Sequence, residues 1–122
     1  MSKEVLVVDD EEMIRTMLAR MLKSMGLNVT TVTNGQAALD ALQSRDFAVD
    51  LIITDHTMPQ MTGIELAKTV LDNHPDIPVV LATGFSQAIG DDVLAEVPLT
   101  RLLNKPVQLG ELKSLISDVL RI

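Results

Sequence analysis

The sequence contains no cysteine, no tryptophan and no tyrosine, and only two phenylalanines among its 122 residues. The absence of cysteine excludes thiolate nucleophiles, cysteine zinc sites and a secreted scaffold built on disulfides, and it fits a reducing cytoplasm. With so few aromatic side chains there is no stacking platform for single-stranded nucleic acid. A net charge of −7 also disfavours phosphate backbones and anionic lipid surfaces. We therefore expect no direct binding to nucleic acid or to membranes.

Long apolar runs are also absent. No apolar run exceeds a handful of residues, and the N-terminal segment lacks the apolar core of a signal peptide, so we expect a soluble, cytoplasmic protein. At this length, residues 1–122 are expected to form one domain, which can bury a sizeable core without disulfides or a structural metal.

Short apolar runs, rich in β-branched residues, alternate with longer segments of helical period. The predicted strands are residues 4–8, 27–32, 49–54, 77–82 and 99–103. Their starts recur every 22 to 28 residues, which is the spacing that a strand and a crossover helix require. Because the runs are apolar on both faces, they predict an α/β fold in which helices cover both sides of a parallel sheet.

The helical segments follow the strands. A first helix starts near Glu11 and ends before Gly26, and further helices are predicted at residues 35–44, 63–72, 86–96 and 108–121, of which 86–96 is shortened by a glycine and a following proline. The first helix carries a broad apolar face with four methionines, for which core packing is the plainer interpretation. The alternative is that Met13 and Met17 help to form a surface on which a partner docks.

Reactive side chains stand at four of the five predicted strand ends. Asp9 and Asp10 follow the first strand, Asp55 the third, Thr83 the fourth and Lys105 the fifth. Right-handed crossovers bring the carboxyl ends of parallel strands to one edge of the sheet, where open α/β folds bind ligands. We therefore expect these five side chains to lie together. The second strand ends without such a residue, as an edge strand would.

The three aspartates supply hard oxygen ligands of the kind that Mg²⁺ selects. A divalent cation would relieve the repulsion among Asp9, Asp10 and Asp55, bridge an incoming phosphoryl oxygen and leave one carboxylate free to attack. Each residue also has an ordinary interpretation: Asp10 as a helix cap, Thr83 as a turn residue and Lys105 as a solvated charge. These interpretations would all have to hold at once, at four strand ends.

Other charged residues near this edge have simpler explanations. Glu11 and Glu12 belong in the first turn of the first helix, where negative charge is favourable. His56 and His74 have no further histidine or cysteine at metal-ligand spacing, so we interpret both as exposed spacers.

Four segments resemble the signature segments of the receiver domain of two-component response regulators, in order and at comparable spacing. They are "VLVVDDEE" (5–12), "DLIITDHTMPQMTG" (50–63), "VVLATG" (79–84) and "LLNKPV" (102–107). The resemblance covers nearly the whole chain. It implies a doubly wound, flavodoxin-like sheet with strand order 2-1-3-4-5.

The resemblance also implies a site. Asp55 would be the phosphoacceptor, receiving its phosphoryl group from a phosphohistidine of a histidine kinase or a histidine phosphotransfer protein. Asp10 and Asp55 would bind Mg²⁺ directly and Asp9 largely through water, and the backbone carbonyl of Thr57 would complete the protein ligands.

Thr83 and Lys105 would contact the new phosphoryl oxygens. Phosphorylation adds about −1.5 to −2 charge, and the two residues would pull their loops inward and shift the sheet face near the fourth and fifth strands, which a downstream protein target could read. The family usually has a cis peptide bond between the lysine and the following proline, here Pro106.

Two positions depart from the usual receiver pattern. Leu102 and Val107 stand where many receivers have aromatic residues, which puts the usual aromatic switch in doubt. An aromatic side chain appears instead at Phe85, and our hypothesis is that it shields the phosphoryl group from water and slows hydrolysis.

Three alternatives compete with the receiver interpretation. A haloacid-dehalogenase-like Mg²⁺ phosphatase carries a second aspartate two residues after its nucleophile, where this chain has Thr57. A nucleotide-binding module would need a glycine-rich loop after the first strand, and none is present. A receiver-like interaction domain that is never phosphorylated is the third. We expect a signalling domain that is not an enzyme beyond self-catalysed phosphotransfer and dephosphorylation.

Overall fold

In the computed structural model, residues 3–44, 48–84, 90–97 and 100–121 are described. Five strands are present: β1 (Glu4–Val8), β2 (Asn28–Val32), β3 (Leu51–Asp55), β4 (Val79–Thr83) and β5 (Thr100–Asn104). The helices are α1 (Glu12–Ser24), α2 (Gly35–Ser44), α3 (Gly63–Asn73), α4 (Asp91–Leu94) and α5 (Leu109–Leu120).

All strands run parallel in the order β2-β1-β3-β4-β5, so the predicted α/β fold and strand order are confirmed. Among the described residues, none of the helices is both long and apolar enough to cross a membrane.

Alternate residues of the central strands pack into two core layers, one on each face of the sheet. Leu6, Val8 and Ile52 face the layer beneath α2 and α3, whereas Val5 and Val7 face the layer beneath α1 and α5. Residues 5 to 8 of β1 are at most 1% exposed. Burial of a side chain of this size contributes about 1.5–3 kcal/mol. This two-sided burial is why the strands read as continuous apolar runs rather than as an alternating pattern.

Four of the five strands, β2 to β5, begin one or two residues later than the sequence predicts. The prediction of 49–54 includes Asp50, but the carboxylate of this residue accepts a hydrogen bond from the backbone N–H of Glu4 (2.8 Å), so it lies before β3. The prediction of 27–32 includes Leu27, whose N–H instead closes the end of α1 by donating to the Leu22 carbonyl (3.3 Å). Asp50 and Leu27 thus form hydrogen bonds directly before the first residues of β3 and β2.

The helix predictions hold for α1, α2, α3 and α5 to within one or two residues. The prediction of 86–96 lies partly outside the described residues, and the described part contains only the single turn of α4.

The α1 N-terminus differs from the capping hypothesis. Glu11 is the N-cap residue and forms no side-chain capping bond, so the interpretation of Asp10 as a cap is wrong. Asp9 instead accepts the Glu11 N–H through its side chain (2.9 Å). At the start of α2, the side chain of Asn34 accepts from the Ala37 N–H (2.7 Å), a capping bond that the sequence analysis did not assign.

The methionines of α1 divide between core and surface. Met17, Met21 and Met25 are half-buried against the core layer beneath α1 and α5, which agrees with the core interpretation. Met13 is 83% exposed and lies outside that layer.

Candidate functional site

The reactive residues lie together at the carboxyl edge of the sheet, as predicted. Asp9 follows β1, Asp55 and Thr83 are the last residues of β3 and β4, and Lys105 follows β5. Three of these side chains are buried although they are polar: Asp9 is 1%, Asp55 7% and Thr83 5% exposed. Asp10, the second residue after β1, is exposed. Parallel pairing places these strand ends side by side.

Three carboxylates converge at this edge. Oxygen atoms of Asp9, Asp10 and Asp55 all lie within 4.8 Å of one another. Charges this close repel strongly in a partly buried site unless a cation lies between them. A set of hard oxygen donors at this spacing is suited to Mg²⁺.

Lys105 supplies a positive charge to this cluster. Its Nζ lies 3.1 Å from Asp55 Oδ1 and 3.3 Å from Asp9 Oδ2, and its side chain is 19% exposed. Burial by itself lowers the pKa of Lys105, but the hydrogen bond to Asp55 and the charges of Asp55 and Asp9 outweigh this effect, so the pKa lies above its ordinary value. Lys105 therefore stays protonated while it bridges two acids.

The backbone around Lys105 is held by β4. The Lys105 N–H donates to the Thr83 carbonyl (3.0 Å), and the following peptide bond to Pro106 is cis, as the family resemblance implied. The ends of β4 and β5, and with them Thr83 and Lys105, are thus joined directly.

Asp9 is the most deeply buried acid of the cluster. Burial raises its pKa above the ordinary value, and the charge of Asp55 adds to this effect. The hydrogen bond from the Glu11 N–H and the charge of Lys105 lower the pKa without cancelling the rise. Arg15 Nη1 also donates to the Asp9 carbonyl oxygen (2.8 Å), so α1 holds the backbone of this residue in place. Arg15 was not predicted as a site residue, because nothing in the spacing of charged residues along the chain signals a bond to the Asp9 backbone.

The loop after β3 is held at both ends. The His56 N–H donates to the Ala82 carbonyl (3.3 Å) and the His56 carbonyl accepts from the Gly63 N–H (2.9 Å). Thr62 and Glu65 then form a reciprocal capping box at the start of α3. Together these contacts fix where the loop leaves Asp55 and where it re-enters a helix.

The two histidines are half-buried, so their interpretation as exposed spacers is wrong. His56 is drawn inward because its backbone is bonded to β4 and to the start of α3, and its Nδ1 is buried with no hydrogen-bond partner among the described residues. His74 forms the C-cap of α3, where its N–H donates to the Val70 carbonyl (2.7 Å).

Two further residues contact the phosphoacceptor candidate. The Thr57 N–H donates to Asp55 Oδ1 (3.4 Å), which places Thr57 beside the carboxylate cluster. The hydroxyl of Thr54, completely buried, donates to the Asp55 carbonyl (3.0 Å) and lies 3.8 Å from the sulfur of Met58. The sequence signal for Thr54 was only a hydroxyl that directly follows the apolar residues 51–53.

The two positions at which the sequence departs from the usual receiver pattern lie in the described part of the chain. Leu102 is half-buried and packs against the core layer beneath α2 and α3, and Val107 is 7% exposed within the other layer. The hypothesis about Phe85 concerns a residue outside the described part of the chain.

Comparison with known proteins identifies the family. The sequence model of the response regulator receiver domain matches residues 5–117. The chain belongs to this family.

As a receiver domain of two-component response regulators, the chain is similar to named relatives over almost its full length. It is 34% identical to the response regulator receiver protein CpdR of Brucella abortus, covering 97% of each chain. It is 31% identical to the chemotaxis protein CheY4 of Vibrio cholerae, with a TM-score of 0.85 over 98% of this chain and 99% of the other.

A third receiver shares the fold at lower identity. The receiver domain of Ssk1 from Saccharomyces cerevisiae, crystallised with the histidine phosphotransfer protein Ypd1, is 22% identical, with a TM-score of 0.83 over 97% of this chain and 88% of that one. Receiver domains are signalling domains that generally bind Mg²⁺, and the acidic cluster of this one could hold a metal ion. The phosphatase and nucleotide-binding alternatives are not favoured by these matches.

Proposed function

We propose that Asp55 accepts a phosphoryl group from a phosphohistidine of a histidine kinase or a histidine phosphotransfer protein. The observation that carries this proposal is the contact of the Lys105 ammonium with Asp55 (3.1 Å) at the point where three carboxylates converge. Stability of the fold does not require a buried acid that contacts the Lys105 ammonium and lies close to two further acids. This is the arrangement that transfer of a multiply charged group requires.

The proposed chemistry is a displacement at phosphorus. A carboxylate oxygen of Asp55 forms a bond to the phosphorus atom while the bond from phosphorus to the partner's imidazole nitrogen breaks, which leaves an acyl phosphate on Asp55 and an imidazole on the partner. Lys105, protonated because its pKa is raised, would place its charge against the phosphoryl oxygens. The hydroxyl of Thr83, at the end of the neighbouring strand, would donate to another of these oxygens.

The metal-binding residues in this proposal are Asp9, Asp10 and Asp55, with the backbone carbonyl of Thr57. The fit rests on the donor chemistry, because three carboxylate oxygens within 4.8 Å form a compact, hard, anionic set. Mg²⁺ at this position supplies positive charge that offsets both the carboxylates and the incoming phosphoryl group.

Phosphorylation would be relayed to the β4–β5 face through Lys105 and Thr83. The phosphoryl group adds about −1.5 to −2 charge next to Asp55 and competes with Asp9 for the Lys105 ammonium. Because the Lys105 N–H is bonded to the Thr83 carbonyl, movement of one residue displaces the other. The surface near β4 and β5 would then present a different shape to a downstream protein target. With Leu102 on β5, this relay would work without an aromatic switch at that position.

The exposed side of α1 supports docking of the histidine-bearing partner. Met13, Met17 and Met21 line a groove of about 500 Å³ on the helix that begins beside the acidic cluster. Methionine surfaces of this kind adapt to partner surfaces. The yeast receiver with the same fold was crystallised with a histidine phosphotransfer protein, and we propose the same class of partner for this chain.

The experiment is phosphoryl uptake from a small phosphodonor, read as the mass of the intact chain. With Mg²⁺, the wild-type chain is expected to gain one phosphoryl group, and the gain should fall to background when the metal is chelated. Asp55→Asn should show no gain because the attacking oxygen is replaced by an amide nitrogen. Asp72→Asn, which removes an exposed carboxylate on α3, is the matched control and should behave as wild type.

Two results would contradict the proposal. Equal uptake by Asp55→Asn would place the acceptor elsewhere. A wild-type chain that takes up no phosphoryl group with Mg²⁺ would instead indicate a receiver-like interaction domain.

A further inference from the structure

Strand β2 forms one edge of the sheet and has β1 as its only neighbour in the described sheet. The Asn28 N–H donates to the Lys3 carbonyl (3.0 Å) and the Asp9 N–H donates to the Val32 carbonyl (3.2 Å), so residues 28 and 32 turn their backbone groups towards β1. Because this direction alternates along a strand, the N–H and C=O groups of Val29 and Thr31 point away from the sheet. No described residue bonds to them.

The side chains of the same two residues form one wall of a groove. We name it the α1–β2 groove; it has a volume of about 400 Å³ and is lined by Val29 and Thr31 of β2 and, from α1, chiefly by Arg15, Arg20 and Lys23. An open strand edge and a wall of basic side chains therefore meet at one place.

The charge of the α1–β2 groove is opposite to that of the chain. Three of the ten lysine and arginine residues line it, although the net charge is −7. Arg15 is already bonded to the Asp9 carbonyl, but within the described ranges no acidic side chain forms an ion pair with Arg20 or Lys23. Glu12 is the one acid in the groove lining and lies at the opposite end of α1 from Lys23. An anionic partner would therefore find two cations without an internal competitor.

We propose that the α1–β2 groove binds an acidic, extended segment of a partner protein, which adds to the sheet as a strand beside β2. Backbone bonds to Val29 and Thr31 would hold the segment, and every second side chain would face α1. The segment should therefore carry Asp or Glu at alternate positions, opposite Arg20 and Lys23. Asp55 is not among the residues that line this groove, and the proposal does not depend on phosphorylation.

A peptide explains the open edge better than a nucleic acid does. The phosphate groups of a nucleic acid could pair with the basic side chains, but they would not form a β-ladder with the outward N–H and C=O groups of β2. A long polyanion would also be repelled by the net negative charge of the chain.

The test is binding of a short labelled peptide in which glutamate and threonine alternate, followed by fluorescence anisotropy at low ionic strength. We expect saturable binding that weakens with added salt, and no binding of the peptide in which glutamine replaces glutamate. The Arg20→Glu/Lys23→Glu variant should bind about tenfold more weakly, or about 1.4 kcal/mol. Lys113→Glu, at an exposed position on α5, is the control and should bind as wild type.

A second variant separates strand addition from simple charge attraction. Thr31→Pro removes one outward N–H but keeps both basic side chains, and proline is tolerated where an edge strand faces solvent. Binding should be lost in Thr31→Pro. In the wild-type chain, the amide protons of Val29 and Thr31 should become protected from exchange when peptide binds, a readout that needs no variant to fold.

Three results would overturn the inference. They are the absence of saturable peptide binding, binding without protection of the two amides, and a single-stranded oligonucleotide that binds more tightly than the peptide through the same basic residues.

Discussion

Asp9 is a carboxylate at 1% exposure, in contact with Lys105 and within 4.8 Å of two further acids. Its burial raises its pKa, so the native state binds a proton at this position more tightly than the unfolded chain does. A carboxylate with a raised native pKa stabilises the fold below the unfolded value, and this contribution is lost as the pH rises through the native value. At neutral pH, therefore, the ionised Asp9 opposes folding.

Because the ionised Asp9 carboxylate opposes folding, we expect Asp9→Asn to stabilise the chain when no metal is present. The amide cannot ionise, so the free energy of unfolding of the variant should exceed that of wild type by an amount that grows as the pH rises from 3.8, the ordinary value of an aspartate, towards neutrality. Urea denaturation over a pH series in the presence of a chelator measures this difference. Asp72→Asn, which removes an exposed charge on α3, serves as the control. A difference that stays constant or shrinks with pH would show that Lys105 fully compensates the burial of Asp9.

At the scale of elements, the start of α3 is packed tightly against the end of β3. A Cβ atom at Gly63 would lie 2.6 Å from Leu81 Cδ2, 2.8 Å from the Asp55 carbonyl oxygen and 3.0 Å from His56 Cα. Two of these three neighbours are backbone atoms of the segment that holds Asp55. The absence of a side chain at Gly63 thus allows the helix to begin where its N–H can bond to the His56 carbonyl.

Gly63→Ala should therefore lower both stability and phosphoryl uptake. Overpacking of this kind costs about 1–3 kcal/mol, because the backbone must move. The matched control is Gly110→Ala in α5, where nothing lies within 4 Å of the added methyl group. That change should stabilise the chain by about 0.5–1 kcal/mol, since alanine is the better helix former. Chemical denaturation of both variants gives the two values, and equal effects would show that the contact at Gly63 is easily relieved.

For some elements, the sequence pattern was sufficient to predict the first and last residues. The bounds of β1 and α2 match the predictions, because each apolar or helical pattern coincides with the hydrogen-bonded segment. Strand β3 ends one residue later than predicted, at Asp55 itself. A polar side chain breaks an apolar pattern, but its backbone can still pair with Ala82 of the neighbouring strand.

At the scale of the whole molecule, one sheet separates two core layers. Leu66 of α3 is completely buried on one side and Leu112 of α5 on the other. The residues of β1 and β3 alternate between the layers, so loss of packing on either side removes support from the same strands. This arrangement predicts that the layers unfold together.

Leu66→Ala and Leu112→Ala should each lower the free energy of unfolding by about 2–5 kcal/mol, with a single transition and an unchanged dependence on denaturant. Leu109→Ala, at 40% exposure, is the control and should change stability by less than about 0.5 kcal/mol. Urea unfolding followed by circular dichroism measures all three. Separate transitions in either core variant would show that the two layers fold independently.

The fold and the meeting of five reactive side chains at one edge of the sheet could be read from the order of residues, because both follow from local patterns and one rule of connection. Apolar runs alternating with helical segments imply a parallel sheet, and a parallel sheet brings the residues after its strands to one edge. Asp9, Asp10, Asp55, Thr83 and Lys105 needed no coordinates to be grouped.

The electrostatics and the surfaces of the molecule depend on packing across long separations in the chain. Lys105 and Asp9 are 96 residues apart, and only side-chain packing sets their separation at 3.3 Å and leaves Asp9 almost fully buried. The α1–β2 groove likewise depends on how a helix lies across a strand edge. The distances between side chains that are far apart in the chain, and the shape and charge of a groove, are properties of neighbours in space that periodicity along the chain does not specify.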